Sequence, residues 1–111
     1  MFFRCHNLIS LDLSNFDISS LTEMPHMFFE CKSLKSLNLS NFNTTNIKSM
    51  TEMFQDCKNL EFIDISSFDT SNVENMGNMF KGCSSLKSLN LSFLILQKLN
   101  ILIISLMVVI H

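Results

Sequence analysis

Tryptophan and tyrosine are absent from this chain, and it holds only one proline and two glycines. Its turns must therefore come mainly from Asn, Asp, Ser and Thr, whose side chains bond their own backbone. Basic clusters are missing as well. The eight Lys and Arg are scattered singly and the formal net charge is -2, which excludes a phosphate-tracking nucleic-acid surface. No secretory signal is evident ahead of the first unit. No acid, base and nucleophile share a spacing that would make them converge, so no catalytic residue and no enzyme activity are expected. His6 and His26 stand alone, outside any zinc spacing, and no metal or cofactor is implied. At 111 residues and 47% hydrophobic content, the chain can bury one modest core but not two domains.

What the sequence does contain is a 26-residue repeat. Met1-Phe2, Met27-Phe28, Met53-Phe54 and Met79-Phe80 open four successive units. Cys5, Cys31, Cys57 and Cys83 follow at one offset, and Leu8, Leu34, Leu60 and Leu86 three residues later. A fixed period in this range signals stacked units, each burying its apolar edge only against its neighbours. The repeat also accounts for the eleven Phe and eight Met. The four cysteines should form a reduced column of small buried hydrophobes. A disulfide between neighbouring coils would need Cα atoms within roughly 4.4–6.8 Å.

Two periodicities alternate within each unit. Leu8, Leu11 and Leu13 recur as Leu34, Leu37, Leu39, then Leu60, Ile63, Ile65, then Leu86, Leu89, Leu91. The period-2 spacing of the last two positions predicts a short strand, with Asp12, Asn38, Asp64 and Asn90 pointing outward beside Ser14, Ser40, Ser66 and Ser92. A polar stretch such as Asp69-Thr70-Ser71-Asn72 then favours a turn and a helix N-cap. Leu21, Met24, Phe28 and Cys31, spaced 3, 4 and 3 apart, predict one face of a short helix, with Pro25 near its start. Ile47, Met50, Phe54, Cys57 and Val73, Met76, Phe80, Cys83 repeat that pattern. The expected fold class is therefore α/β, with one short parallel strand and one short helix per 26-residue coil, and unpaired strand edges at both ends.

Leu-x-x-Leu-x-Leu resembles the core of a leucine-rich repeat, although Phe16, Phe42 and Phe68 stand where an Asn normally bonds the loop backbone. The fuller pattern is Met-Phe-x-x-Cys-x-x-Leu-x-x-Leu-x-Leu-Ser-x-Phe-Asp-Thr-Ser-x-Val-x-x-Met. It is similar to the repeat of BspA-like leucine-rich-repeat surface proteins, in the version common in mycoplasma surface proteins and lipoproteins, and it covers residues 1–92. The resemblance implies a leucine-rich-repeat solenoid at the cell surface or outside the cell. It further implies a ladder surface for adhesion or host contact, and no enzyme activity.

After Ser92 the pattern stops, and residues 93–111 form a non-repeat apolar tail. A membrane anchor is disfavoured, since a spanning helix needs about 20 apolar residues and Gln97, Lys98 and Asn100 interrupt residues 93–110. A cap on the last coil is a second reading. The third is out-of-frame translation. Ser92 to Leu96 can be written TCA TTT TTG ATA CTT, and one restored base gives TCA TCT TTT GAT ACT. That reads Ser-Ser-Phe-Asp-Thr, as Ser66 to Thr70 do.

The candidate binding ladder is Asp12, Ser14, Asn38, Ser40, Asp64, Ser66, Asn90 and Ser92. Alternating acid and amide keeps like charges from stacking directly on one another. The function expected is a non-enzymatic module of about three and a half units. It would bind an unidentified protein or host-surface ligand through the strand face, without nucleic acid. The alternative is a truncated or frameshifted fragment of a longer array with no independent function.

Overall fold

The structure, a computed structural model, describes residues 2–87. Asn90 and Ser92 of the expected ladder, and the whole of the 93–111 tail, lie outside the described residues. Strand β1 (Ser36–Asn38) pairs in parallel with β2 (Phe62–Asp64), Ser36 opposite Phe62, Leu37 opposite Ile63 and Asn38 opposite Asp64. Partners are thus one repeat apart, and each unit lies on the next in register. A second line of parallel bridges joins Glu23 to Ser49 and Ser49 to Asn75.

The short helix expected in each unit is not there: the described residues contain two strands and no helix. In its place runs a string of tight turns. Within the second coil Phe29 N–H donates to the His26 carbonyl at 3.1 Å, Cys31 to Phe28 at 3.1 Å and Leu34 to Cys31 at 3.3 Å. A turn closed between residues i and i+3 brings the chain back to the same side after three residues. Apolar residues spaced 3, 4 and 3 apart therefore imitate the helical stripe without forming one.

The neighbouring coil is what displaces the helix. The N–H groups of Met24, His26, Phe28 and Glu30 donate to the carbonyls of Ser49, Thr51, Met53 and Gln55, at 2.9, 3.0, 2.9 and 2.8 Å. One unit later, Met50, Glu52, Phe54 and Asp56 donate to Asn75, Gly77, Met79 and Lys81 in the same way. An α-helix would turn those N–H groups back on its own carbonyls. Aiming them at the next coil requires left-handed backbone twice per unit. It is found at His26, Glu52 and Asn78 (φ 59°, 55° and 56°) and at Arg4, Glu30, Asp56 and Gly82 (φ 57°, 55°, 60° and 78°). Such a conformation costs about 1–2 kcal/mol for a residue with a Cβ, a cost the inter-coil bonds offset. Pro25 is not a helix start either. Its equivalents Thr51 and Gly77 aim their N–H groups at Ser49 Oγ and Asn75 Oδ1 of their own coil, so a proline removes nothing from the ladder.

Like residues lie over like residues through the core. Phe2, Phe28, Phe54 and Phe80 form a stack with ring centroids 5.5, 5.6 and 5.4 Å apart and planes within 11° of parallel. Met24, Met50 and Met76 are buried, as are Met27, Met53 and Met79. Phe42 and Phe68 are buried, whereas Phe16 of the first unit is 37% exposed. Phe2, Cys5, Leu8, Leu11 and Leu21 are also only partly buried, because the first described coil has a neighbour on one side alone.

All four cysteines are free thiols. Cys31, Cys57 and Cys83 donate through Sγ to the carbonyls of Phe2, Phe28 and Phe54 in the preceding coil, at 2.9, 3.0 and 3.0 Å. Each of those carbonyls also accepts the N–H of its own coil's cysteine, so both lone pairs are used. Burial pushes the Cys83 thiol up to about 12 and drives Cys57 upward as well. A second polar tie crosses the core at Thr44. Its hydroxyl donates to the Asp69 carbonyl at 2.9 Å and accepts the Asp69 N–H at 2.8 Å. Thr70, its equivalent one unit on, is 1% exposed and its hydroxyl has no partner among the described residues.

Thr44→Val should cost about 1–3 kcal/mol, since it removes the partner of two part-buried backbone groups of Asp69. Thr70→Val, which removes a hydroxyl with no partner among the described residues, should cost less. Equal losses in thermal unfolding would contradict this assignment. The thiols make a separate prediction. A cysteine whose pKa is raised in the fold stabilises it fully below the ordinary value of 9.0, and that contribution is lost as pH climbs through about 12. Stability should therefore fall between pH 9 and 12, and Cys83→Ala should flatten the fall. An unchanged alkaline slope in the variant would refute the link.

Candidate ligand-binding face

The outward side chains of the two strands and of the turn that follows form the candidate site. Strand alternation buries Leu37 and Leu39 and leaves Asn38 and Ser40 exposed. Asp12, Ser14, Asp64 and Ser66 are exposed at the equivalent places, although the first unit forms no strand there. Each Asp or Asn of the row also folds its own turn. Asp12 Oδ1 accepts the Ser14 N–H at 2.9 Å, Asn38 Oδ1 that of Ser40 at 2.9 Å, and Asp64 Oδ1 that of Ser66 at 3.0 Å. The row is thus a structural element and an outward surface at once, because an Asx turn uses only one side-chain oxygen.

The same device recurs five residues along. Asp17, Asn43 and Asp69 accept the N–H groups of Ser19, Thr45 and Ser71 at 2.9, 3.1 and 2.9 Å. These bonds favour the ionised carboxylate and set its pKa below the usual aspartate range. For Asp12 the Ser14 backbone N–H is the main cause, followed by the Ser14 hydroxyl. For Asp17, Asp64 and Asp69 the hydroxyls of Ser19, Ser66 and Ser71 come first and the backbone second.

The structure brings Asp12, Ser14, Asn38 and Ser40 together around a shallow depression of about 190 Å³, with Leu11, Leu13 and Asn41 completing its wall. A second depression, of about 290 Å³, lies over β1 and β2 between Ser36, Asn38, Phe62 and Asp64, floored by Leu37 and Ile63. Ser66 lines neither of them. Phe62, which sequence reasoning did not single out, is 51% exposed on this face, with Lys87 Nζ 5.6 Å from its ring centroid. A signal was present: Phe62 occupies a position that is Ser10 and Ser36 in the earlier units. Asp17 and Asp69 were also legible as Asp-x-Ser, the pattern shared with Asp12 and Asp64.

Ion pairs gather elsewhere on the coils. Arg4 meets Glu30 at 3.2 Å, His6 meets Glu30 at 3.5 Å, His26 meets Glu52 at 2.7 Å, and Lys87 meets Glu61 at 3.5 Å. Among the described residues no three His, Cys, Asp or Glu side chains converge as metal ligands. No helix among them is long and apolar enough to cross a membrane.

The lowered aspartate pKa values carry a sign. Their stabilisation is present above the unfolded value of 3.8 and is lost as pH falls through the lower folded value. Asp64→Asn retains the Oδ1 acceptor, as Asn38 does naturally. It should unfold like the parent at pH 7 and lose less stability than the parent at pH 3. A larger acid loss in the variant would rule out the turn as the cause.

Comparison with known proteins places the chain. No curated protein and no solved structure matches it. A family described as "Mycoplasma protein of unknown function, DUF285" matches residues 1–100, continuing beyond Ser92, where the internal pattern stops. By that match, over most of its length, the chain belongs to this mycoplasma family.

Proposed function

We propose that this chain is a non-enzymatic leucine-rich-repeat module of a cell-surface protein, binding a protein or host-surface ligand through its strand face. The reading narrows the mycoplasma family to its BspA-like, leucine-rich-repeat form. The observation that carries it is the register of β1 on β2. Pairing Ser36, Leu37 and Asn38 with their counterparts one repeat later turns every outward side chain into a member of a row. Rows of this kind give a repeat stack an extended binding surface, which no single coil provides. The repeated Leu-x-x-Leu-x-Leu core and the exposed Phe62 support the same reading. The surface location rests on the family resemblance.

A test displays the chain on beads and measures attachment to host cells. Ser36→Arg and Phe62→Ser alter the strand face, while Lys58→Ser alters an exposed position outside it. Attachment should drop by about tenfold for the first two, the scale set by losing a central interface residue, and persist for the third. Unchanged attachment with an altered strand face would refute the reading.

A further inference from the structure

The sign of charge is segregated around the coil. Residues 10–21, 36–47 and 62–73, which span the strand and the two turns after it, contain Asp12, Asp17, Asp64 and Asp69 and no Lys, Arg or His. Every Lys and Arg of the described residues lies on the remaining arc, together with all five Glu and Asp56. The ion pairs of the described residues also fall on that arc and none of them involves the four aspartates of the strand side, although Lys87 reaches from that arc to within 5.6 Å of the Phe62 ring centroid. Beside them stands the open sheet face with its half-exposed phenylalanine and the 290 Å³ depression between Phe62, Ser36, Asn38 and Asp64.

We propose that the outer face of β1 and β2 docks a cationic polypeptide segment, with Phe62 as its apolar anchor and the aspartate rows as its electrostatic complement. The proposal rests on the strand face being the binding surface and names the partner's chemistry. Complementarity selects that occupant over a second copy of the chain. Two such faces brought together would set aspartate against aspartate, and like charges across an interface are repelled. The arrangement is held in advance of binding. Each aspartate is oriented by the N–H of the residue two positions on, and Phe62 sits in a strand paired along its length. A partner therefore meets a surface that needs little ordering.

The natural repeat supplies the variants. Asn38 and Asn43 already occupy the aspartate positions in the second unit and make the same turns. Asp12, Asp17, Asp64 and Asp69 can then be changed together to Asn with the fold retained, which circular dichroism checks. The full chain is titrated with a labelled peptide alternating arginine and serine around a central leucine, and with its glutamate counterpart, read by fluorescence anisotropy at low and high salt. The arginine peptide should bind and weaken as salt rises, while the glutamate peptide should not bind. The fourfold Asn variant should lose about tenfold in affinity, the scale four weak surface ion pairs reach together. Phe62→Ser should also weaken binding.

Changing Glu23 and Glu74 to Gln and Asp56 to Asn, on the other arc, should leave affinity within about twofold. If that control weakens binding as much as the fourfold variant, or if both peptides bind alike or neither binds, the proposal falls. Concentration-dependent dimerisation lost on Phe62→Ser would also overturn it, in favour of a second copy. The bead assay separates the two levels of the reading. Attachment that survives the fourfold variant but not Phe62→Ser would retain the face and reject the cationic partner. Attachment that survives both would reject the face itself.

Discussion

The backbone hydrogen bonds from one coil to the next are the constraint on which the rest depends. With no helix and two strands of three residues, the described residues have few ways to satisfy their buried N–H and C=O groups locally. Here the segment from Met24 to Glu30 sends alternate N–H groups to the coil above, and the segment from Met50 to Asp56 does the same. The geometry fixes the rise of the stack and the left-handed residues at each corner. It also fixes which positions face inward. Stability is correspondingly shared, because each of these segments relies on the next coil to accept its N–H groups.

Register explains why identical residues recur in the interior and variety appears outside. A Phe stacked on a Phe at about 5.5 Å fills the same volume in every coil, and a smaller residue in one unit would leave a void against two neighbours. The cysteines follow the same logic in polar form. A thiol is small enough for the column and donates weakly to a carbonyl that would otherwise have one lone pair unused. The Thr44 hydroxyl does comparable work between coils, where Ile18 of the first unit contributes only apolar surface. Glycine occupies one of these left-handed corners, where Arg4, Glu30 and Asp56 stand in the earlier coils. At Gly82 a Cβ would lie 2.1 Å from Asp56 Oδ1 and 3.2 Å from the Asp56 backbone, and the backbone is left-handed there.

Outside, the constraint is looser, and the surface divides into two chemistries. On one arc, ion pairs cross from coil to coil, with Arg4 on Glu30 and His26 on Glu52. On the strand side, Asp and Asn are tied to their own turns and leave the remaining side-chain surface to solvent. Phe62 departs from the serine of the other units, and no packing requirement of the core explains a half-exposed phenylalanine there. The surface that a partner would meet thus differs from unit to unit, while the interior does not.

The sequence by itself determined the repeat length, the units, the inward columns of Leu, Phe, Met and Cys, and the outward Asp/Asn row. All of these follow from period and polarity, which survive any local conformation. Only the tertiary structure decided what lies between Leu21 and Cys31 and in the two segments like it. A string of turns and a helical turn share the same three- and four-residue spacing, and the choice between them belongs to a hydrogen-bond partner a whole repeat away. The same holds for Asp12 and Asp64, whose outward direction was legible from alternation. Their anchoring by Ser14 and Ser66 depended on how tightly the chain turns after each strand, and the neighbouring coil sets that.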